Sequence, residues 1–259
     1  MGLRRRAQAA YSSAIHRVAS VRAVPRVDAE RYWDDRAREH ALFFVDNRLD
    51  YRNPDVDRFW ADGERVLDQM LELVGVAVAP SDVVLDIGCG VGRLTRALAG
   101  RAERVIGLDV SREMLARAAE LNPQLENVEW RHGDGRSLTG VGTGTIDACV
   151  SHVVFQHLPD PALTLGYVRE MGRVLRPGGW AAFQVSTDPS IHRPRGAARR
   201  LAARFLPVRG PAARAVEHPA WLGSAVEPED LRRAAAGAGL TLERMLGVGS
   251  QFTTVLARR

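Results

Sequence analysis

Residues 84–92, Val84-Leu85-Asp86-Ile87-Gly88-Cys89-Gly90-Val91-Gly92, decide the fold. An apolar strand carrying one acid runs into glycines at 88, 90 and 92, and Arg93 to Leu98 then reads as a helix. Glycine lets the chain turn tightly there and brings bare backbone N–H groups close to a ligand. A dinucleotide fingerprint requires G-x-G-x-x-G. Counted from Gly88, its third glycine would fall at 93, which is Arg, so the spacing is G-x-G-x-G.

Outward from this turn the same rhythm repeats. Val83–Ile87 and Arg104–Leu108 read as strands, the second ending at Asp109. Ser111 caps a helix through Leu121, Val128–Arg131 and Ile146–Val150 are further strands, and Pro161–Leu175 is helical. A Pro177-Gly178-Gly179 turn precedes a fifth strand over Trp180–Val185. Short apolar strands alternating with helices imply parallel β-α-β units covered on both faces. The end of the chain differs. Glu227-Pro228-Glu229-Asp230 opens a helix with acids in its first turn, the end where the helix dipole favours them. Leu240–Leu246 and Phe252–Leu256 follow as strands, joined too closely for a parallel crossover, so they form an antiparallel hairpin. Upstream, the pattern is helical from Asp28 to Val45, and Asn53-Pro54-Asp55 reads as an N-cap with Pro at the first helical position. Phe59, Val66, Leu67, Met70, Leu71 and Val74 then mark an amphipathic helix. The expected architecture is α/β and doubly wound, a mostly parallel seven-stranded sheet with a C-terminal antiparallel hairpin. Residues 28–79 form an N-terminal helical cap on a domain over 80–259, which carries a basic, lid-like insertion at 189–225.

Charge is distributed unevenly. All 36 basic residues are Arg, against 31 acids. Residues 1–27 hold six Arg and residues 189–216 seven, neither with an acid, which leaves 23 Arg facing 31 acids in the remainder, a net of −8. An acidic body with two basic segments does not read as a nucleic-acid coat. Residues 1–27 read as a disordered basic arm, although Arg-rich, acid-free composition also suits a mitochondrial presequence. No apolar run reaches the roughly 18 residues of a membrane helix. The two cysteines, Cys89 and Cys149, sit in strand-like stretches and make neither a disulfide scaffold nor a metal cluster, so a cytoplasmic location is expected.

The combination of motifs resembles the class I S-adenosylmethionine-dependent methyltransferases of the small-molecule type. VLDIGCGVG is similar to their first motif. Asp109 closes the second strand, 21 residues after Gly88, where a carboxylate can accept from both ribose hydroxyls. Gly133-Asp134-Gly135 stands where the family places an acid or polar group beside the adenine, and IDACVSHVVFQHLPD (146–160) and VREMGRVLRPGGWAAF (168–183) resemble the later motifs. The likeness covers about residues 80–188 and 226–257. It implies S-adenosylmethionine as cofactor, held by Asp86, Gly88, Gly90, Gly92, Asp109, Asp134, Gly135 and Ser151. An acid between two glycines is also ordinary turn chemistry, so Asp134 has that second reading.

The implied reaction is in-line methyl transfer to a small-molecule acceptor, expected at oxygen. A proton acceptor is needed only for a hydroxyl or amine. His152 directly follows the fourth strand and is the candidate base, with His157 second. Tyr32 and Trp33 are candidates to roof the cofactor site. Base methylation of nucleic acid is disfavoured, because Ser151-His152-Val153-Val154 stands where an [N/D]-P-P-[Y/F] motif would be, and Cys149 lies inside a strand rather than at a nucleophile's position. The Arg-rich segments suit an anionic substrate or a membrane surface. An RNA- or lipid-directed methyltransferase, a noncatalytic cofactor-binding module and an NAD(P)-dependent oxidoreductase remain as alternatives.

Overall fold

The computed structural model describes residues 28–192 and 218–259. Both the basic arm and most of the expected lid therefore lie outside the described residues. Seven strands form one sheet: β1 (Val83–Ile87), β2 (Arg104–Asp109), β3 (Val128–His132), β4 (Ile146–Ser151), β5 (Leu175–Val185), β6 (Thr241–Leu246) and β7 (Thr253–Arg258). Their order is β3-β2-β1-β4-β5-β7-β6. The first five pair in parallel, and β7 runs antiparallel between β5 and β6. The winding direction reverses between β1 and β4, which opens a crevice at their carboxyl ends, the usual ligand site of an open α/β sheet.

Alternation explains the unbroken apolar run of β1. Leu85 and Ile87 join one core with Ile106, Leu108, Cys149, Phe183 and Met171, while Val84 joins another with Val105, Ala148, Val150 and Leu98. Both faces of the strand are therefore covered. Helices α3 (Arg93–Ala99), α4 (Arg112–Leu121), α5 (Pro161–Val174), α6 (Pro219–Leu222) and α7 (Pro228–Gly237) complete the layers. The Pro177-Gly178-Gly179 turn is absorbed into β5. Ile146 pairs with Leu175 and Ala148 next pairs with Trp180, so the intervening residues bulge out of the ladder with Gly178 at φ 84°.

The two N-terminal helices, expected together as a cap, differ in role. Helix α2 (Val56–Val74) buries Phe59, Leu67, Met70, Leu71 and Val74. Its last four join the core that includes Val84 and Val105, each contributing roughly 1.5–3 kcal/mol. Its cap is Asp55, whose carboxylate accepts from the Arg58 amide. Asn53 instead donates its amide to Asp50, so the Asn-Pro pair belongs to the preceding turn. Only α1 (Ala29–Val45) lies over the crevice. It is interrupted at His40, whose backbone leaves the helical region and whose Nδ1 accepts from the Phe43 amide.

Candidate functional site

The crevice between β1 and β4 contains a pocket lined by the glycine loop, the ends of β1 and β2, the segment after β4 and helix α1. The glycine loop is its floor. Gly88 and Gly90 have φ of 76° and 56°, which L side chains rarely adopt. A Cβ on Gly88 would run into the Val154 side chain, and one on Gly90 would come within 2.8 Å of Val45 Cγ2. Gly92 does not line the pocket. It caps α3 at φ 88°, and a Cβ there would meet Trp130 Cη2 at 2.6 Å. The third glycine thus lets strand β3 pack beneath the loop.

Two acids flank the floor. Asp86 is 3% exposed and lines the pocket, with Thr95 Oγ1 donating to Oδ2 at 2.6 Å. Burial, reinforced by the charge of Asp109, pushes its carboxyl up to about 6 against the pull of the Thr95 hydrogen bond. Asp109 also lines the pocket and bridges two backbone amides, Gly90 at 2.9 Å and Ser111 at 2.8 Å. Burial raises its carboxyl above the ordinary range despite those bonds. A ligand bringing positive charge to Asp86 and hydroxyl donors to Asp109 would relieve both.

The remaining expected site residues fall on both sides of the pocket wall. Gly135 lines it at φ 69°. Asp134 turns into its own loop, accepting from the amides of Arg136 and Ser137 and from Ser137 Oγ. Burial would raise its carboxyl, but these bonds outweigh it and hold the group low. This is the turn chemistry the sequence also allowed. Ser151 is fully buried and ties β4 to β1, its hydroxyl donating to the Ile87 carbonyl at 2.8 Å.

His152 lines the pocket, where its surroundings disfavour the protonated ring of the candidate base. Burial first, and the Arg93 guanidinium second, push its pKa down to about 3. Arg93 Nη2 approaches His152 Nδ1 at 3.4 Å. A guanidinium can only donate, so Nδ1 is the accepting nitrogen and the ring proton sits on Nε2. His157, also in the lining, is held the opposite way. Its Nδ1–H donates to the Trp221 carbonyl at 2.9 Å, leaving Nε2 as the lone-pair nitrogen. Burial lowers the pKa of this ring, against the pull of that hydrogen bond. Between the two, Val153 has φ 58°, a strained conformation for a β-branched residue of the kind that collects at functional sites.

The roof is built by α1 and by the chain around α6. Trp33, Phe44 and Val45 line the pocket from α1, and Trp33 meets His157 edge-on with centroids 5.8 Å apart. Tyr32 stacks on His218 at 4.2 Å instead of facing the pocket. Trp221 closes the outside, 6.3 Å from Trp33 and 6.2 Å from Phe44. Polar ties fix α1 to the start of α4: Ser111 Oγ donates to Asp34 at 2.6 Å, and Arg38 pairs with Glu113 at 2.8 Å. The chain leaves the described region at His192, which hydrogen-bonds both Ser186 Oγ and the Leu222 carbonyl. It returns at His218, so the described residues on either side of the break are tied together.

Sequence reasoning passed over Arg93 as a site residue, treating it only as a missing glycine. Its side chain is 6% exposed, pairs with the equally buried Asp46 at 2.8 Å and lies in the pocket wall. The signal was a charged residue at the first position of a buried helix, where an unpaired guanidinium would be costly.

Residues 85–183 match the family model described as a methyltransferase domain. The chain carries a class I S-adenosylmethionine-dependent methyltransferase domain. Among curated relatives, trans-aconitate 2-methyltransferase of an Azoarcus species is 38% identical over 125 residues, 47% of this chain and 46% of that one. Ubiquinone biosynthesis O-methyltransferase of Chromobacterium violaceum is 29% identical over 170 residues, covering 64% and 67%. The chain spans about half the length of the trans-aconitate enzymes it matches, 46% in Azoarcus and 52% in Deinococcus radiodurans. Geranyl diphosphate C-methyltransferase from Streptomyces coelicolor, solved with Mg2+, geranyl diphosphate and S-adenosyl-L-homocysteine, aligns with a TM-score of 0.58 at 18% identity over 92% of this chain and 98% of that one. At that identity it establishes the methyltransferase fold alone. Among the described residues no helix is long and apolar enough to cross a membrane.

Proposed function

We propose that the domain binds S-adenosylmethionine on the glycine loop and transfers its methyl group to the oxygen of a small-molecule acceptor. The observation that carries this reading is the pairing of a glycine floor, which a Cβ would fill, with two under-neutralised carboxylates, the buried Asp86 and the half-buried Asp109. The cofactor supplies a methyl group on a positively charged sulfur with a neutral leaving group. Asp86 would face the methionyl ammonium and sulfonium end, and Asp109 would exchange its bond to the Gly90 amide for the ribose hydroxyls. Gly88 and Gly90 admit the ligand against bare backbone, and Gly135 leaves room beside it.

What remains for the protein is to hold the acceptor in line with the breaking bond and exclude water. Trp33, Phe44 and Val45 do the excluding, because they close the pocket with apolar surface from a separate helix. A hydroxyl acceptor must lose its proton, and His157 suits that task better than His152. Its tautomer is fixed by the Trp221 carbonyl so that Nε2 is the accepting nitrogen, while burial, and Arg93 after it, push the pKa of the His152 ring down to about 3, too weak a base near neutral pH.

Isothermal calorimetry tests the reading. S-adenosylmethionine or S-adenosylhomocysteine should bind in the micromolar range, and NADH should not. Labelled-methyl transfer into fractionated metabolite, lipid and RNA pools then identifies the acceptor class. Binding of NADH with no binding of either adenosyl ligand would reverse the proposal.

A further inference from the structure

Helix α6 is four residues long, so its last carbonyls have no partner within the helix and must be satisfied from outside. Histidines do this twice. His157 Nδ1 donates to the Trp221 carbonyl at 2.9 Å, and His192 Nδ1 donates to the next one, that of Leu222. The first of these bonds joins residues 64 positions apart and requires α6 to end against the turn Phe155–His157. Gly223 makes that contact possible. Its backbone, at φ 62° and ψ −152°, lies in a region essentially restricted to glycine. A Cβ there would stand 1.7 Å from the Gln156 carbonyl oxygen and 2.7 Å from the His157 Cα, backbone atoms that cannot swing aside as a side chain can. Beyond it, Ser224 Oγ donates to the Leu158 carbonyl at 2.7 Å and the Val226 amide donates to the Ser186 carbonyl at 2.9 Å, which fastens the chain on the far side.

A neutral imidazole carries one proton on either nitrogen, so which nitrogen is basic follows from the bond made by the other. We infer that Gly223 is a positioning residue: by letting α6 end directly on the 155–157 turn, it brings the Trp221 carbonyl to His157 and leaves the ring's lone pair on Nε2. This rests on the reading that His157 takes the acceptor's proton. The Trp33 and Trp221 rings, 5.8 Å and 5.3 Å from the imidazole, hold its plane but choose neither nitrogen. The choice falls to a backbone carbonyl on the return leg of the insertion. Base and insertion are thereby coupled. The ring is prepared for proton transfer only while residues 218–224 are seated, whereas the cofactor floor over Val83–Ala99 takes no part in these contacts.

Long-range proton–nitrogen NMR spectra of the isotope-labelled full chain read the tautomer without an acceptor, with His157→Gln identifying the signals. At pH 8, wild type should show His157 protonated on Nδ1 and bare on Nε2. Gly223→Ala should lose at least half of that form to the Nε2–H tautomer, while its affinity for S-adenosylhomocysteine, read by calorimetry, stays within about threefold of wild type. Ser224→Ala, which gives up only the tie to Leu158, carries the same readout if Gly223→Ala does not fold. A wild-type ring protonated on Nε2, or a folded variant that keeps the wild-type tautomer, overturns the inference. A variant that loses cofactor affinity together with the tautomer marks a merely structural glycine and overturns it too. Undiminished labelled-methyl transfer by His157→Gln removes the base reading and the inference with it. Failure of wild type to bind S-adenosylhomocysteine, with the tautomer shift intact, counts against the cofactor reading alone.

Discussion

The floor and the roof of the pocket are made in different ways. The floor comes from one uninterrupted strand-turn-helix, Val83 to Ala99, supplemented by the end of β2. Its working parts are backbone amides and two carboxylates, one buried and one half-buried, so it depends on what is missing from the side chains as much as on what is present. The roof is assembled from three separate stretches: α1, the segment after β4 and the chain around α6. Its working parts are aromatic rings and exposed ion pairs. A site of this kind has a fixed half that suits a constant ligand and an assembled half that can be altered without disturbing the sheet.

Variants should therefore separate the two. The largest effect is expected at the floor from Gly90→Val, which combines an unfavourable φ of 56° with a collision at Val45. Loss of S-adenosylhomocysteine binding by more than about a hundredfold should accompany a stability loss of about 1–3 kcal/mol, read by denaturant melts. Asp109→Ala should weaken binding by roughly tenfold to a hundredfold, the worth of hydrogen bonds to a charged group. Retention of wild-type affinity would break the assignment of Asp109 to the ligand.

A third prediction concerns pH. Asp86 is held at about 6, above its value in the unfolded chain, so the folded protein binds the extra proton. Its stability contribution is fully present below the ordinary carboxylate range and is lost as pH rises through about 6. Cationic ligand affinity runs the other way, rising up to about tenfold per pH unit below 6 and levelling above it. Calorimetry from pH 5 to 8 reads the slope. Asp86→Asn should flatten the profile and raise the melting temperature of the ligand-free protein at pH 7.5.

Roof changes should be milder. Asp34→Ala removes the tie from α1 to Ser111 and should lower affinity about fivefold, a loss near 1 kcal/mol, mainly through faster dissociation in stopped-flow traces. The smallest effect is expected from Val153→Gly. Relief of the left-handed φ should offset the lost side chain to within about 1 kcal/mol, whereas Val154→Gly, with no such strain to relieve, should cost more.

The same contrast explains what the sequence disclosed. The sheet was legible because Leu85 and Ile87 alternate with Val84 across two covered faces, and the floor because its glycine spacing is contiguous. Gly92 and Asp134 show the limit of that reading. Both sit in the motif, yet one is required by Trp130 and the other by its own turn, contacts that depend on partners brought together only by folding. The roof was largely hidden. Nothing in local spacing links His157 to Trp221, or Arg93 to Asp46, 47 residues away. The basicity of His152 could not be read from position either, because it is set by burial and by that same arginine.

The tie between His192 and Leu222 has a mechanical consequence. The two residues are 30 positions apart in the sequence, yet one hydrogen bond sets the separation of their backbones, as a clasp holds two ends together. A displacement at His192 is therefore passed to α6 and, through Trp221, to the aromatic rings of Trp33 and Phe44 that roof the pocket.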